Sequence, residues 1–137
     1  MRVSKCLMAV ALMLGVAGLI WAEVDANFQT AMKAAGAACG RLKKNVEAKG
    51  SADDIAKDAE EVAQNFRKMG AYWKQHQVND AMDLCRKAFG SAMAVSKAAK
   101  AGNMDEVASN FKTLTGTCAP CHTAHREKAA DGSYSIK

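Results

Sequence analysis

The chain predicts an all-α fold, an antiparallel up-down-up-down four-helix bundle. Three observations lead there. Beyond the first 22 residues, apolar side chains recur at helical spacing in four separate segments, divided by short polar breaks. Strand-like alternation is absent, and alanine, the strongest helix former, fills much of each stripe. The single proline, Pro120, lies in the last segment. Four helices with short connections bury their stripes most simply as antiparallel neighbours.

The first helix is expected from about Asp25 to Val46, with Val24, Phe28, Ala31, Met32, Ala35, Ala38, Cys39, Leu42 and Val46 on its stripe. Lys49-Gly50-Ser51 breaks it. Ser51 then caps a second helix whose first turn carries Asp53 and Asp54, where the helix dipole favours acids. Its stripe, Ile55, Ala59, Val62, Phe66 and Met69, steps by four and three as a bundle seam does. Gly70 to Val78 is expected to be irregular. A third helix follows with Asn79 as cap and Ala81, Leu84, Cys85, Ala88, Phe89, Ala92, Val95, Ser96 and Ala99 inward. Gly102 ends it and Asn103 caps the fourth, whose stripe runs Met104, Val107, Phe111, Leu114, Cys118, His122. Pro120 should bend that helix, with Gly116 relieving the clash four residues earlier. The tail after about Lys128 is polar and expected to fray.

The front of the chain belongs to a different class of signal. Arg2 and Lys5 precede an uncharged apolar run from Leu7 to Ile20, too short for a comfortable span and of the right length for a secretory signal. Residues 1–22 are therefore expected to be a cleaved signal peptide, with cleavage after Ala22 or, as the alternative, after Ala26. Residues 23–137 would form the mature domain, periplasmic in a Gram-negative cell and without a stable membrane anchor. Without Arg2 and Lys5 the 19 basic residues fall to 17 against 14 acidic, so the net charge drops from +5 to +3. No basic run with interleaved aromatics exists, and nucleic-acid binding is not expected.

The chemistry concentrates in Cys118-Ala119-Pro120-Cys121-His122. Two thiols three positions apart, followed directly by an imidazole, form the pattern that attaches a c-type haem. Cys118 and Cys121 would add to the haem vinyl groups as thioethers, and His122 would take one axial position of the iron. A CxxC pair can also serve a thioredoxin-like redox site, which needs a strand–helix context, or half a zinc site, which needs a second ligand pair. Neither context is present in the sequence. Export supports the haem reading, because covalent haem c is assembled outside the bacterial inner membrane.

From Ala101 onward the chain resembles the cytochrome c′ family, the class II c-type cytochromes. The residues that carry the likeness are Ala101-Gly102-Asn103-Met104-Asp105, Phe111, Gly116-Thr117-Cys118, Cys121-His122 and Arg126. The resemblance implies one covalent haem c on the last helix, His122 as proximal iron ligand and Arg126 beside it. The position before that arginine is usually aromatic in the family; here it is His125. The distal side separates two branches. One blocks the sixth position with an apolar residue, stays five-coordinate and binds nitric oxide or carbon monoxide. The other supplies a methionine from the first helix and transfers electrons. Matching Gln29-Thr30-Ala31-Met32 to the family pattern puts Met32 at the distal position, as an axial ligand of the low-spin branch.

Helix arithmetic bears on the same question. His122 lies about 28 Å along a helix that starts near Asn103, at ~1.5 Å per residue. It therefore reaches the end of the bundle where the first helix begins, the second ends and the third begins. That leaves Met32, Met69 and Met82 in reach, and places Met93 and Met104 toward the other end. The expected function is one-electron transfer between redox partner proteins rather than enzymatic catalysis, by a monomer or homodimer, with small-gas binding as the alternative. Cys39 and Cys85 are either a disulfide or two buried thiols. His76 is expected to be a solvated loop residue, and Tyr72 and Trp73 to cover the haem end or a dimer surface. Lysines 43, 44, 49, 57, 68 and 74 are expected to form a solvated face.

Overall fold

A computed structural model describes residues 26–137. The expected signal peptide, Val24 and Asp25 lie outside the described residues. The chain folds as helices α1 (26–47), α2 (Ala52–Gln75), α3 (Asn79–Lys100), α4 (Met104–Thr115) and α5 (Cys118–His125), closed by a small hairpin, β1 (Arg126–Lys128) and β2 (Tyr134–Ile136). Helices α4 and α5 together occupy the place of the fourth bundle helix.

Side-chain pairs give the direction of each helix. Phe28 near the start of α1 packs on Tyr72 and Trp73 at the end of α2, while Arg41 and Asn45 late in α1 bond Asp58 early in α2 at 2.9 and 2.8 Å. Ser96 and Lys100 late in α3 reach Glu60 early in α2. Asp80 at the start of α3 meets His125 at the end of α5. Each helix thus runs against the one before it, in the up-down-up-down order that short connections favour.

The core consists of the stripes read from the sequence. Phe28, Ala31, Ala35, Ala38 and Leu42 are buried on α1; Ile55, Ala59, Val62, Phe66 and Met69 on α2. Ala81, Cys85, Ala88, Ala92, Val95 and Ala99 face them from α3, with Val107 and Leu114 from α4. Alanine at so many inward positions lets the backbones approach closely. Ser51 and Asn103 cap α2 and α4 by accepting the backbone N–H of Asp54 and Glu106. Among the described residues no helix is long and apolar enough to cross a membrane.

Four local expectations need correction. The stretch from Gly70 is not irregular: α2 continues to Gln75, and only three residues link it to α3. Glycine costs about 1 kcal/mol in a helix, but Met69 and Trp73 continue the buried stripe across it. A Cβ on Gly70 would stand 3.5 Å from Cys85 Cβ, an ordinary van der Waals contact, so α3 packs closely on this turn. Gln77, at φ 58°, turns the chain in the left-handed region. Asn79 is the first residue of α3 rather than its cap, and Val78 takes the cap position without a side-chain bond.

Pro120 does not bend a continuous helix. The helix stops at Thr115 and restarts at Cys118, which puts Pro120 in a first turn where its missing N–H has no intrahelical acceptor to lose. Thr117 seals the junction, donating from Oγ1 to the Leu114 carbonyl at 2.7 Å. The tail is ordered too. Asp131 accepts from the backbone N–H and hydroxyl of Ser133, Gly132 takes φ 84°, and Ile136 folds back onto the core cluster. Lys137 then ties the hairpin to α5 through its backbone N–H to the His125 carbonyl, 3.0 Å, and its ammonium to the Thr123 carbonyl, 2.9 Å.

Candidate functional site

Helix α5 presents Cys121 and His122 between two cavities. The larger, about 350 Å³, is lined by Phe28, Gln29, Met32 and Lys33 of α1, by Trp73, by Cys121, His122 and His125, and by Arg126 and the hairpin strand. The smaller, about 100 Å³, continues inward past Met32, Cys39, Phe66, Trp73, Cys85, Cys118, Cys121 and His122. Met32, Trp73, Cys121 and His122 belong to both walls. The structure therefore gathers Met32, Cys118, Cys121, His122 and Arg126 at one end of the bundle.

Three other described methionines lie elsewhere. Met69 is wholly buried in the core, Met82 lines an outer groove between α2 and α3, and Met93 is exposed. Of the three that helix arithmetic left in reach, Met32 alone stands on a wall with His122. It is half-buried, packed against the core yet facing the cavities.

Electrostatics suit His122 to metal binding. Burial, and then the neighbouring Arg126 guanidinium, hold its pKa below the usual histidine value. The ring is thus neutral at pH 7 and keeps the lone pair a metal would take. Arg126 itself lies over the Tyr134 ring, 4.1 Å from the centroid, which fixes it on the hairpin side of the site. Burial raises the pKa of Cys118 and Cys121, so both are protonated thiols. Asp80 adds to the effect at Cys121.

Three further residues belong to the site; the sequence expected Trp73 at this end or on a dimer surface, and did not anticipate Ile136. Trp73 is 4% exposed, lines both cavities, and its indole Nε1 is buried without a hydrogen-bond partner. Its spacing from Phe66 and Met69 continued the helical stripe and was the available signal. His125 packs its ring on Trp73 at 5.2 Å and bonds Asp80, so it fills an aromatic role while adding a polar tie. Ile136 arrives from the hairpin. His76 does lie in the link after α2, as its C-cap residue, but it is half-buried with its ring tilted against Tyr72 at 4.2 Å. The six lysines named above are all exposed, as expected.

The four described cysteines, Cys39, Cys85, Cys118 and Cys121, carry no disulfide. The conceivable Cys39–Cys85 bridge is not formed, and burial pushes the two thiols up to about 11 and about 12. Among the described residues no group of three or more Cys, His, Asp or Glu is arranged to hold a metal ion. The CxxC pair thus lacks the further ligands of a tetrahedral zinc site.

A cavity of this size, largely apolar and with a few convergent polar groups, has the form of a cofactor site. Its residues fit a flat, mainly apolar group anchored at two thiols. There is one neutral imidazole beside them, a half-buried thioether on the shared wall and an indole donor awaiting an acceptor.

Comparison with solved structures gives the architecture a name. The cytochrome c′ of Thermochromatium tepidum superposes with a TM-score of 0.64 at 24% identity, over 74% of this chain and 92% of that one. The fold is that of cytochrome c′. A cytochrome c′ with ligand-controlled dimer dissociation matches with a TM-score of 0.64 at 20% identity, covering 84% of this chain and 95% of that one. A ferrous variant of the Alcaligenes xylosoxidans cytochrome c′ with bound nitric oxide matches at 0.65 and 18%, covering 77% and 94%. No protein-family model matches the chain, and no curated protein sequence matches it. The cytochrome c′ bundle accounts for the helix order here; the β1–β2 hairpin is built from this chain's last residues.

Proposed function

We propose that the chain is an exported haem c protein that carries one electron at a time between redox partner proteins. Cys118 and Cys121 would hold the porphyrin through thioether bonds. His122 would be the proximal iron ligand, with Arg126 beside it, and Met32 the distal ligand. The observation that carries this reading is the meeting of Met32 and His122, from opposite ends of the sequence, on the wall common to the two cavities.

When bound, the iron supplies a one-electron couple, whose potential a thioether ligand raises relative to a second imidazole. The chain's own residues prepare the site for that group. Phe28, Trp73 and Ile136 give its larger cavity an apolar lining. His122 is held neutral. Lys33 and Arg126 put positive charge at the rim, where carboxylates of a cofactor or an acidic partner would be attracted. Residues 1–22, read as a secretory signal, would send the chain to the periplasm, where haem c is attached.

A second reading has its own support. Solved structures of similar fold include cytochrome c′ variants with bound nitric oxide and with bound carbon monoxide. If Met32 packs over the site without ligating, the protein binds a small gas instead. Co-expression with the haem-attachment machinery, followed by mass and optical spectra, tests both. A polypeptide heavier by one haem, with low-spin bands and the weak near-red ferric thioether band, is the expected result. High-spin bands and a nitric oxide adduct support the second reading. A mass equal to the bare polypeptide overturns both.

A further inference from the structure

A groove of about 420 Å³ runs along the outer side of α2 and α3. Phe66, Met82, Cys85 and Phe89 line it with apolar surface and are all buried or half-buried. Exposed cations stand along its edge: Arg67 and Lys74, two turns apart on α2, and Arg86 on α3. No acidic side chain lines it. Arg86 bonds Asp83 at 3.0 Å, whereas Arg67 and Lys74 pair with no carboxylate among the described residues. Phe66 and Cys85 also line the smaller cavity beside His122. A single layer of side chains therefore separates this surface from the candidate cofactor site.

We propose that this groove docks an acidic redox partner protein, which seats apolar side chains against Met82 and Phe89 and sets carboxylates against Arg67, Lys74 and Arg86. The partner's redox role rests on the proposed electron transfer; the docking itself does not. Charge selects the occupant. A second copy of the chain would bring the same cations face to face across a two-fold axis. The apolar run from Leu7 to Ile20 holds no acidic residue and follows Arg2 and Lys5, so it too is repelled. A flat anionic membrane would meet the cations but not Met82 and Phe89, which lie half-buried between two helices. An acidic protein surface with an apolar centre satisfies both, and an apolar centre inside a charged rim is the usual anatomy of a specific interface. Opposite charge on the two rims speeds encounter and fixes register.

The test pairs the full chain with a fluorescent synthetic helical peptide that carries leucines on one face and glutamates on both sides of them. Saturable binding that weakens as salt rises is expected. Arg67→Glu with Lys74→Glu should weaken it about tenfold or more. Lys44→Glu with Lys57→Glu, an equal change of charge at exposed positions toward the other end of the bundle, should leave it unchanged. Replacing the peptide's leucines by serine should abolish binding. In the haem-loaded protein the first pair of substitutions, and not the second, should slow reduction by flavodoxin hydroquinone, an acidic donor that passes one electron from its flavin to the ferric iron. Equal weakening by both pairs, or binding that survives the serine exchange, overturns the proposal, because charge alone would then account for it. Tighter Arg67-dependent binding to phosphatidylglycerol vesicles than to the peptide overturns it in favour of a membrane. Peptide binding by a chain that takes up no haem upholds the docking surface and ends the electron-transfer reading; a haem-loaded protein that ignores the peptide does the reverse.

Discussion

His125 Nε2 lies 2.7 Å from Asp80 Oδ2, joining the last residue of α5 to the first turn of α3. The same imidazole packs on Trp73, so one side chain ties three helices together beside His122. The hydrogen bond from His125 is the main reason that the Asp80 carboxyl titrates below the usual carboxylate value. A carboxyl lowered in the folded state stabilises the fold at pH values above its unfolded pKa, about 3.9. That contribution fades as the pH falls through the lower folded value. Asp80→Asn should reduce the urea midpoint at pH 6 and leave it unchanged at pH 2, which denaturation curves across that range will show.

Met32→Ala separates ligation from packing. If Met32 binds iron, the variant becomes high spin, gains carbon monoxide binding and has a lower reduction potential. Its fold should persist, at a cost of about 1–2 kcal/mol, below the 2–5 kcal/mol of a fully buried methionine. Optical spectra and redox titration read the first effect, and chemical denaturation the second. An unchanged spectrum would remove Met32 as a ligand.

Leu42 is wholly buried where α1 meets the core, amid alanines that cannot swell to fill a void. Leu42→Ala should cost about 2–4 kcal/mol through lost transfer energy and a residual cavity. Met93→Ala, on an exposed position, should cost less than about 0.5 kcal/mol. Urea midpoints of the two variants make the comparison.

The hairpin forms one wall of the larger cavity, where Tyr134 and Ile136 stand opposite Phe28 and Trp73. Removing residues 129–137 should expose Trp73 to solvent. In a haem-free chain produced from residue 23 onward, without Trp21, Trp73 is the remaining tryptophan, so acrylamide quenching of its fluorescence reports directly on the wall. A several-fold rise in the quenching constant is expected, and no change would mean the hairpin does not shield the site.

Much of the fold was legible because it is written in local rhythm. The steps of four and three along Ile55, Ala59, Val62, Phe66 and Met69 need no knowledge of the partner helix, since any helix with that stripe must bury it. Ser51 and Asn103 could be read as caps for the same reason: each satisfies donors three residues on. Gly70 misled because glycine's local cost is visible in sequence, while the burial of Met69 and Trp73 that carries the helix across it is tertiary. The hairpin was missed since its strands are short and polar, and it holds through a turn at Asp131 and the docking of Ile136.

By itself, the sequence determined the four helical segments, most of their inward faces and the CxxCH pattern at Cys118-Ala119-Pro120-Cys121-His122. These are properties of neighbours along the chain. Tertiary structure alone decided which distant groups meet: that Met32 and not Met69 or Met82 shares a wall with His122, that Trp73 leaves an indole donor beside them, and that Cys39 and Cys85 line the smaller cavity with the α5 thiols. Axial register and rotation of packed helices set those meetings, and both depend on how side chains from all the helices interlock at once.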